Sequence, residues 1–118
     1  IPVCLHMDGD FSPILDLMLE TGIQAVHPFE VTGNLDIYRE KRRLQGRAAV
    51  VGNIDCAGVL RNGTPPPVRH DVREHIVRLA PGGGYVCGSS HEVGPDIPVE
   101  NFIAMVEAVD EFGDQPGG

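Results

Sequence analysis

The stretch from Gly84 to Asn101, GYVCGSSHEVGPDIPVEN, contains the plan on which the whole chain is built. Tyr85, Val86 and Cys87 predict a short apolar strand. Ser89, Ser90, His91 and Glu92 predict a polar loop, and Pro98 predicts the opening of a helix. Proline suits the first helical turn, where its missing N–H has no intrahelical partner to lose, and Glu100 complements the positive end of the helix dipole. Phe102, Met105, Val106, Val109 and Phe112 then recur at spacings of three and four, the period of one buried helix face. A strand that ends in titratable groups and hands over to an amphipathic helix is one βα unit.

Three more units precede it. The first strand, Ile1 to His6, is continuously apolar until its last residue, as expected of a strand covered on both sides. Ser12-Pro13 predicts an N-cap followed by proline at the first helical position, with Ile14, Leu17 and Met18 as the buried stripe and Gly22 as the stop. The second strand, Ile23 to His27, leads through Pro28-Phe29-Glu30 to a helix from about Asn34 to Leu44. The third, Ala48 to Val51, closes on Gly52-Asn53-Ile54-Asp55. After Thr64-Pro65-Pro66-Pro67 a helix is expected from near Pro67, because the residue before each proline resists the α conformation. Val68, Val72, Ile76 and Leu79 line its inner side, and Asp114 to Gly118 is expected to be a frayed tail.

Alternation of this kind implies an α/β fold with a parallel sheet and right-handed crossovers. Four βα units make either a small open doubly wound sheet or half of a (β/α)8 TIM barrel of about 250 residues. Periodicity does not separate the two. The 118 residues allow one domain, 1–118, with a modest core.

A net charge of −8 argues against a nucleic-acid partner, which needs basic clusters. The one basic run, Arg39 to Arg43, is expected to be a solvated helix face. Cys4, Cys56 and Cys87 are far apart, with Cys4 and Cys87 inside apolar strands as small hydrophobes. This usage fits a reducing compartment, hence a cytoplasmic location. No apolar run approaches the roughly 18 residues of a membrane span, no signal peptide is visible, and the opening at Ile1 suggests a piece of a longer protein.

In parallel α/β folds the chemistry gathers at the carboxyl ends of the strands. Here those ends carry His6 and Asp8, His27 and Glu30, Asn53 and Asp55, and Ser89, Ser90 and His91. His6 and Asp8 are two apart, so an extended backbone points both the same way. Such a pair can ligate a metal, orient each other, or act as acid and base; the alternative is an Asx turn beside a strand-end histidine. His91 could be a ligand, a general acid, or a neutral ring bonded to a serine. Glu30 could be a ligand or a solvated loop acid. His70 and His75, on the third helix, are expected at the surface. Gly82-Gly83-Gly84 precedes a strand and is a helix stop, not a phosphate cradle. Ser89-Ser90-His91 lacks the elbow of a nucleophilic serine.

H-x-D-G at the first strand end, G-N-I-D after the third, and L-A-P-G-G-G-Y…S-S-H…P-x-x-P-x-E-N around the fourth resemble the uroporphyrinogen decarboxylase superfamily, from Ile1 to about Gly113. The resemblance is to the C-terminal half of that family's single-domain (β/α)8 barrel, which implies strands five to eight here and the first four missing. One branch decarboxylates a tetrapyrrole without metal or cofactor. Gly52-Asn53-Ile54-Asp55 and His91 look like its segments, and its catalytic aspartate would lie before Ile1. The other branch comprises corrinoid-dependent methyltransferases that use zinc, with His-x-Cys where this chain has His6-x-Asp8 and a later cysteine near His91.

The resemblance therefore implies a methyltransferase-like enzyme with His6, Asp8 and His91 as metal or acid–base groups and Glu30 as a further ligand candidate. Asn53, Asp55, Ser89 and Ser90 would contact substrate or position loops. Zinc and a corrinoid methyl carrier are the implied cofactors, with none needed in a true decarboxylase. The implied partners are the missing half barrel or a second copy in a dimer, and a small-molecule, tetrapyrrole or corrinoid ligand. An inactive fragment or partner subunit is the non-enzymatic alternative.

Overall fold

A computed structural model describes residues 1–114 of the chain; of the expected tail, 115–118 lie outside the described residues. Four strands, β1 (Cys4–His6), β2 (Ala25–His27), β3 (Ala49–Val51) and β4 (Tyr85–Val86), form one parallel sheet in the order β1-β2-β3-β4. The helices α1 (Leu15–Glu20), α2 (Ile37–Leu44), α3 (Pro65–Leu79) and α4 (Val99–Gly113) alternate with them. A doubly wound sheet reverses its strand order at a switch point; this one proceeds in sequence from edge to edge, as in a barrel wall.

One face of the sheet is covered. Val26 and Val50 are fully buried and pack, with Leu5 and Tyr85, against side chains of the helices. The alternate residues Cys4, His6 and Val86 are exposed, and Ala25, His27, Ala49 and Val51 are half-buried. The first strand is thus covered on one side only, because the inner, concave face has no second layer among the described residues. Two core clusters meet at Tyr85, one under α1 and α2 and one under α3 and α4.

Several local expectations are corrected. Phe11, not Ser12, occupies the cap position of a 3₁₀ turn over Ser12–Ile14. Asp10 accepts hydrogen bonds from the Ser12 N–H at 3.0 Å and its hydroxyl at 2.6 Å, which hold its carboxyl below the usual range. The tighter 3₁₀ winding shifts the helical phase, so Leu15 and Met18 are buried while Ile14 and Leu17 face out. Helix α2 starts at Ile37, because Asn34 has φ +59°, and Asp36 caps it by accepting the Tyr38 N–H at 2.9 Å. Helix α3 starts at Pro65: the first positions need no N–H, and proline's fixed φ is already helical.

The basic run is only partly solvated. Glu40 is buried between Arg39 and Arg43, and the Lys41 ammonium donates to the Gly83 carbonyl at 2.6 Å, tying α2 to the triple-glycine turn. On α4 the buried residues are Asn101, Ala104, Met105 and Ala108, whereas Phe102 and Val106 are exposed. Asn101 sets this rotation, since its amide donates to the carbonyls of Leu60 and Gly63 at 2.9 Å each. The small Ala104 and Ala108 belong to the core cluster that α4 shares with α3.

The cysteines divide by exposure. Cys4 lies open on the inner face, which corrects its expected burial, while Cys56 is buried. Burial pushes the Cys87 thiol above its ordinary range, leaving less nucleophilic thiolate at neutral pH. Iodoacetamide under native conditions is expected to label Cys4 well before Cys56 or Cys87, as peptide mass mapping would show. At Gly52, φ is +114° and an added Cβ would lie 2.8 Å from the Pro28 carbonyl oxygen. Gly52→Ala is expected to cost roughly 2–3 kcal/mol of stability, measured by denaturant unfolding.

Candidate metal and acid–base site at the strand ends

Parallel register brings the strand ends together. His6 pairs with His27 across β1 and β2, so both rings project from the same face at the same level. Their Nδ1 atoms are 2.8 Å apart. His91, from the loop after β4, reaches the same place, its ring centroid 6.0 Å from that of His6. Asp8 Oδ1 lies 3.1 Å from His6 Nε2 and 3.8 Å from His91 Nδ1. Glu30 braces the group from the β2 loop: Oε2 accepts the Gly9 N–H at 2.9 Å and Oε1 faces His91 Nε2 at 3.2 Å.

Hydrogen-bond logic assigns the ring nitrogens. The Ser89 carbonyl can only accept, so His27 Nε2–H donates to it at 3.1 Å. A neutral His27 then presents a lone pair at Nδ1, and His6 Nδ1–H donates to it. A neutral His6 is left with a lone pair at Nε2, aimed at the Asp8 carboxylate. Two neutral rings bring two protons to these three contacts, so one more positive charge, a proton on either ring or a metal ion at His6 Nε2, completes the set.

The donor set fits zinc. One donor atom each from His6, Asp8 and His91 lie within 4.8 Å of one another. Donors on a tetrahedral zinc, at bonds of 2.0–2.2 Å, are separated by about 3.4 Å, a value between the two observed distances to Asp8. Metal-binding imidazoles ordinarily donate their second N–H to a fixed partner. His6 does so to His27, and His91 Nε2 can do so to Glu30. Glu30, expected as a ligand candidate, instead has both oxygens engaged as a brace.

The remaining expected site residues divide. Ser89 sits at the site through its carbonyl, while its hydroxyl donates to the His91 carbonyl at 2.7 Å. Ser90 is buried, its hydroxyl accepting the Cys56 N–H at 3.0 Å, which makes it a loop brace. Asn53 is buried too and donates to the Phe29 carbonyl. Asp55 caps the π-helical turn Cys56–Leu60 by accepting the Ala57 N–H at 3.0 Å. Asn53 and Asp55 line a cleft of about 560 Å³ between α2 and α3. Both also bond to loop backbone, Asn53 to the Phe29 carbonyl and Asp55 to the Ala57 N–H.

His75, expected at the surface, is buried and bonded to Asn53, whereas His70 is exposed as expected. The signal was present: 75 continues the inner stripe Val68, Val72, Leu79 at spacings of three and four. His27 was recognisable only as a strand-end histidine; its contact with His6 follows from equal strand register.

A sequentially ordered parallel βα sheet with its polar donors at the carboxyl ends of the strands defines a segment of a (β/α)8 barrel. The chain belongs to the uroporphyrinogen decarboxylase family: the family model described as Uroporphyrinogen decarboxylase (URO-D) matches residues 1–112. A uroporphyrinogen decarboxylase of Legionella pneumophila (strain Corby) is 33% identical over 101 residues, covering 86% of this chain and 27% of the relative. One from Methylococcus capsulatus is 34% identical over 98 residues, covering 83% and 27%. A solved methyltransferase from Methanosarcina mazei superposes with a TM-score of 0.76 at 28% identity, over 95% of this chain and 32% of that one. The chain thus spans about a quarter of the length of the curated relatives it matches. Among the described residues, no helix is long and apolar enough to cross a membrane.

Proposed function

We propose that this chain forms the metal-holding side of a methyltransferase-like member of the family, acting on a methyl group that a corrinoid donates or accepts. The observation that carries the proposal is the convergence of His6, Asp8 and His91 on one point that their hydrogen bonding leaves in need of a cation. The methyltransferase from Methanosarcina mazei supports the same branch. Zinc held there would supply Lewis acidity to an oxygen or sulfur of the methyl donor or acceptor.

The chain's own residues do the rest. His6 and His91 each present one ring nitrogen while the other is held by His27 and Glu30. Asp8 supplies a hard oxygen donor and, without a metal, shares a proton with His6. The exposure of His6 and Asp8 leaves room for substrate beside them. The corrinoid is substrate here, docking over the open strand ends. Completion of the barrel, by further βα units or by a second copy, and a cytoplasmic setting belong to the same proposal.

Tetrapyrrole decarboxylation is the second reading, favoured by the names of the relatives at 33–34% identity. In it His91 faces a propionate or pyrrole, and no metal is needed. The two separate in one assay. The protein, with and without zinc, is offered a methylcorrinoid plus a thiol or phenol, and separately uroporphyrinogen. Zinc-dependent methyl transfer is expected of the completed barrel, and none of the isolated chain. Zinc-independent release of CO2, abolished by His91→Ala, would transfer the protein to the decarboxylase branch.

A further inference from the structure

We infer that His75 and Asn53, both remote from the donor set, are positioning residues that hold the Glu30 brace in place. His75 Nδ1 lies 2.8 Å from the Asp71 carbonyl, and His75 Nε2 lies 3.0 Å from Asn53 Oδ1. The orientation of the Asn53 amide is not free. Its other end meets the Phe29 carbonyl, so the NH₂ group must be there and the oxygen must face His75. Asn53 Oδ1 can only accept, so His75 Nε2–H donates to it. The Asp71 carboxylate lies 3.4 Å from Nδ1. Tyr38, with Arg78 over its ring, packs on the other side, and Asp36, Asp55 and His70 share the cleft wall.

What this buried chain holds is a backbone under strain. Phe29 has φ +59°, unusual for a bulky residue, and is completely buried against Phe11. The Asn53 amide fixes its carbonyl, and the next residue is Glu30. From there one carboxylate oxygen reaches the Gly9 N–H and the other reaches His91. A donor on α3 thus sets the position of a carboxylate that aligns two of the site's loops. The functional consequence rests on reading the strand ends as the reactive site; the hydrogen-bond arrangement does not.

The test uses the full chain with labelled histidines. In a long-range ¹H–¹⁵N spectrum, His75 Nε2 is expected to be of the protonated type; a lone pair at His75 Nε2 would overturn the inference. His75→Phe is then expected to abolish the hydrogen-bonded His91 Nε2–H signal and to weaken zinc binding about tenfold. His75→Gln, which keeps an N–H toward Asn53, is expected to retain both. Equal effects of the two variants on His91, or none, would refute the positioning role. Should His75→Phe not fold, the wild-type spectrum and His75→Gln decide the matter. Should the wild type bind no zinc, the His91 signal still does, and only the metal reading fails.

Discussion

Replacing Asp8 by alanine is expected to weaken zinc binding by at least about a hundredfold, the upper end of what losing a ligand's supporting partner costs. Asp8 Oδ1 is the donor that His6 and His91 share, and its removal leaves two imidazoles without a third ligand. The side chain is 66% exposed, so its loss opens no cavity and folding should be unaffected. Asp8→Cys is expected to recover or exceed the original affinity, because thiolate is a good zinc ligand and a bond of about 2.3 Å is reachable from the same backbone position. Competition with a chromophoric chelator measures both. Unchanged affinity in Asp8→Ala would remove this carboxylate from the ligand set.

At micromolar concentration the 118-residue chain is expected to sediment as a dimer or larger species and to melt at a temperature that rises with concentration. Among the described residues strand β1 pairs only with β2, and β4 only with β3, so each edge offers unsatisfied N–H and C=O groups. The apolar exposure is concentrated on the same two outer units. Val3, Ile14 and Leu17 flank β1; Val86, Val99, Phe102, Ile103 and Val106 flank β4. Among the described residues α2 exposes no large apolar side chain, and α3 exposes only Val77. In a series of βα units, the faces left open are the ones that the next unit would cover. A second copy can cover them isologously, with β1 of one beside β4 of the other, which would place two donor sets at one barrel mouth. Replacing Val86 and Val3 by lysine should shift the chain to monomer. A well-behaved wild-type monomer with cooperative unfolding would show that the edges need no cover.

The alternation of elements was legible because each βα unit carries its own punctuation: Gly22 after α1, the proline run before α3, and the triple glycine before β4. Strand ends could be read for the same reason, and with them His6, Asp8 and His91. What escaped depends on groups that meet only in three dimensions. Nothing local says that Asn53 turns inward to the Phe29 carbonyl, or that the Asn101 amide rotates α4 so that Phe102 and Val106 face out. His75 escaped for a different reason. Its polarity outweighed its place on the inner stripe of α3, although a buried histidine bonded to Asn53 is well satisfied. Glu30 could not be told from a ligand, because whether a carboxylate binds a metal or braces the ligand beside it depends on a few ångströms.

Zinc K-edge absorption of the zinc-loaded chain tests the central claim most directly. The expected result is one zinc per chain with a first shell of nitrogen and oxygen only, at about 2.0–2.2 Å, including the scattering of two imidazoles. A sulfur at about 2.3 Å would mean that a cysteine, not the His6–Asp8–His91 set, holds the metal. Failure to retain stoichiometric zinc would contradict the claim and leave a proton, not a metal, completing the His27–His6–Asp8 set.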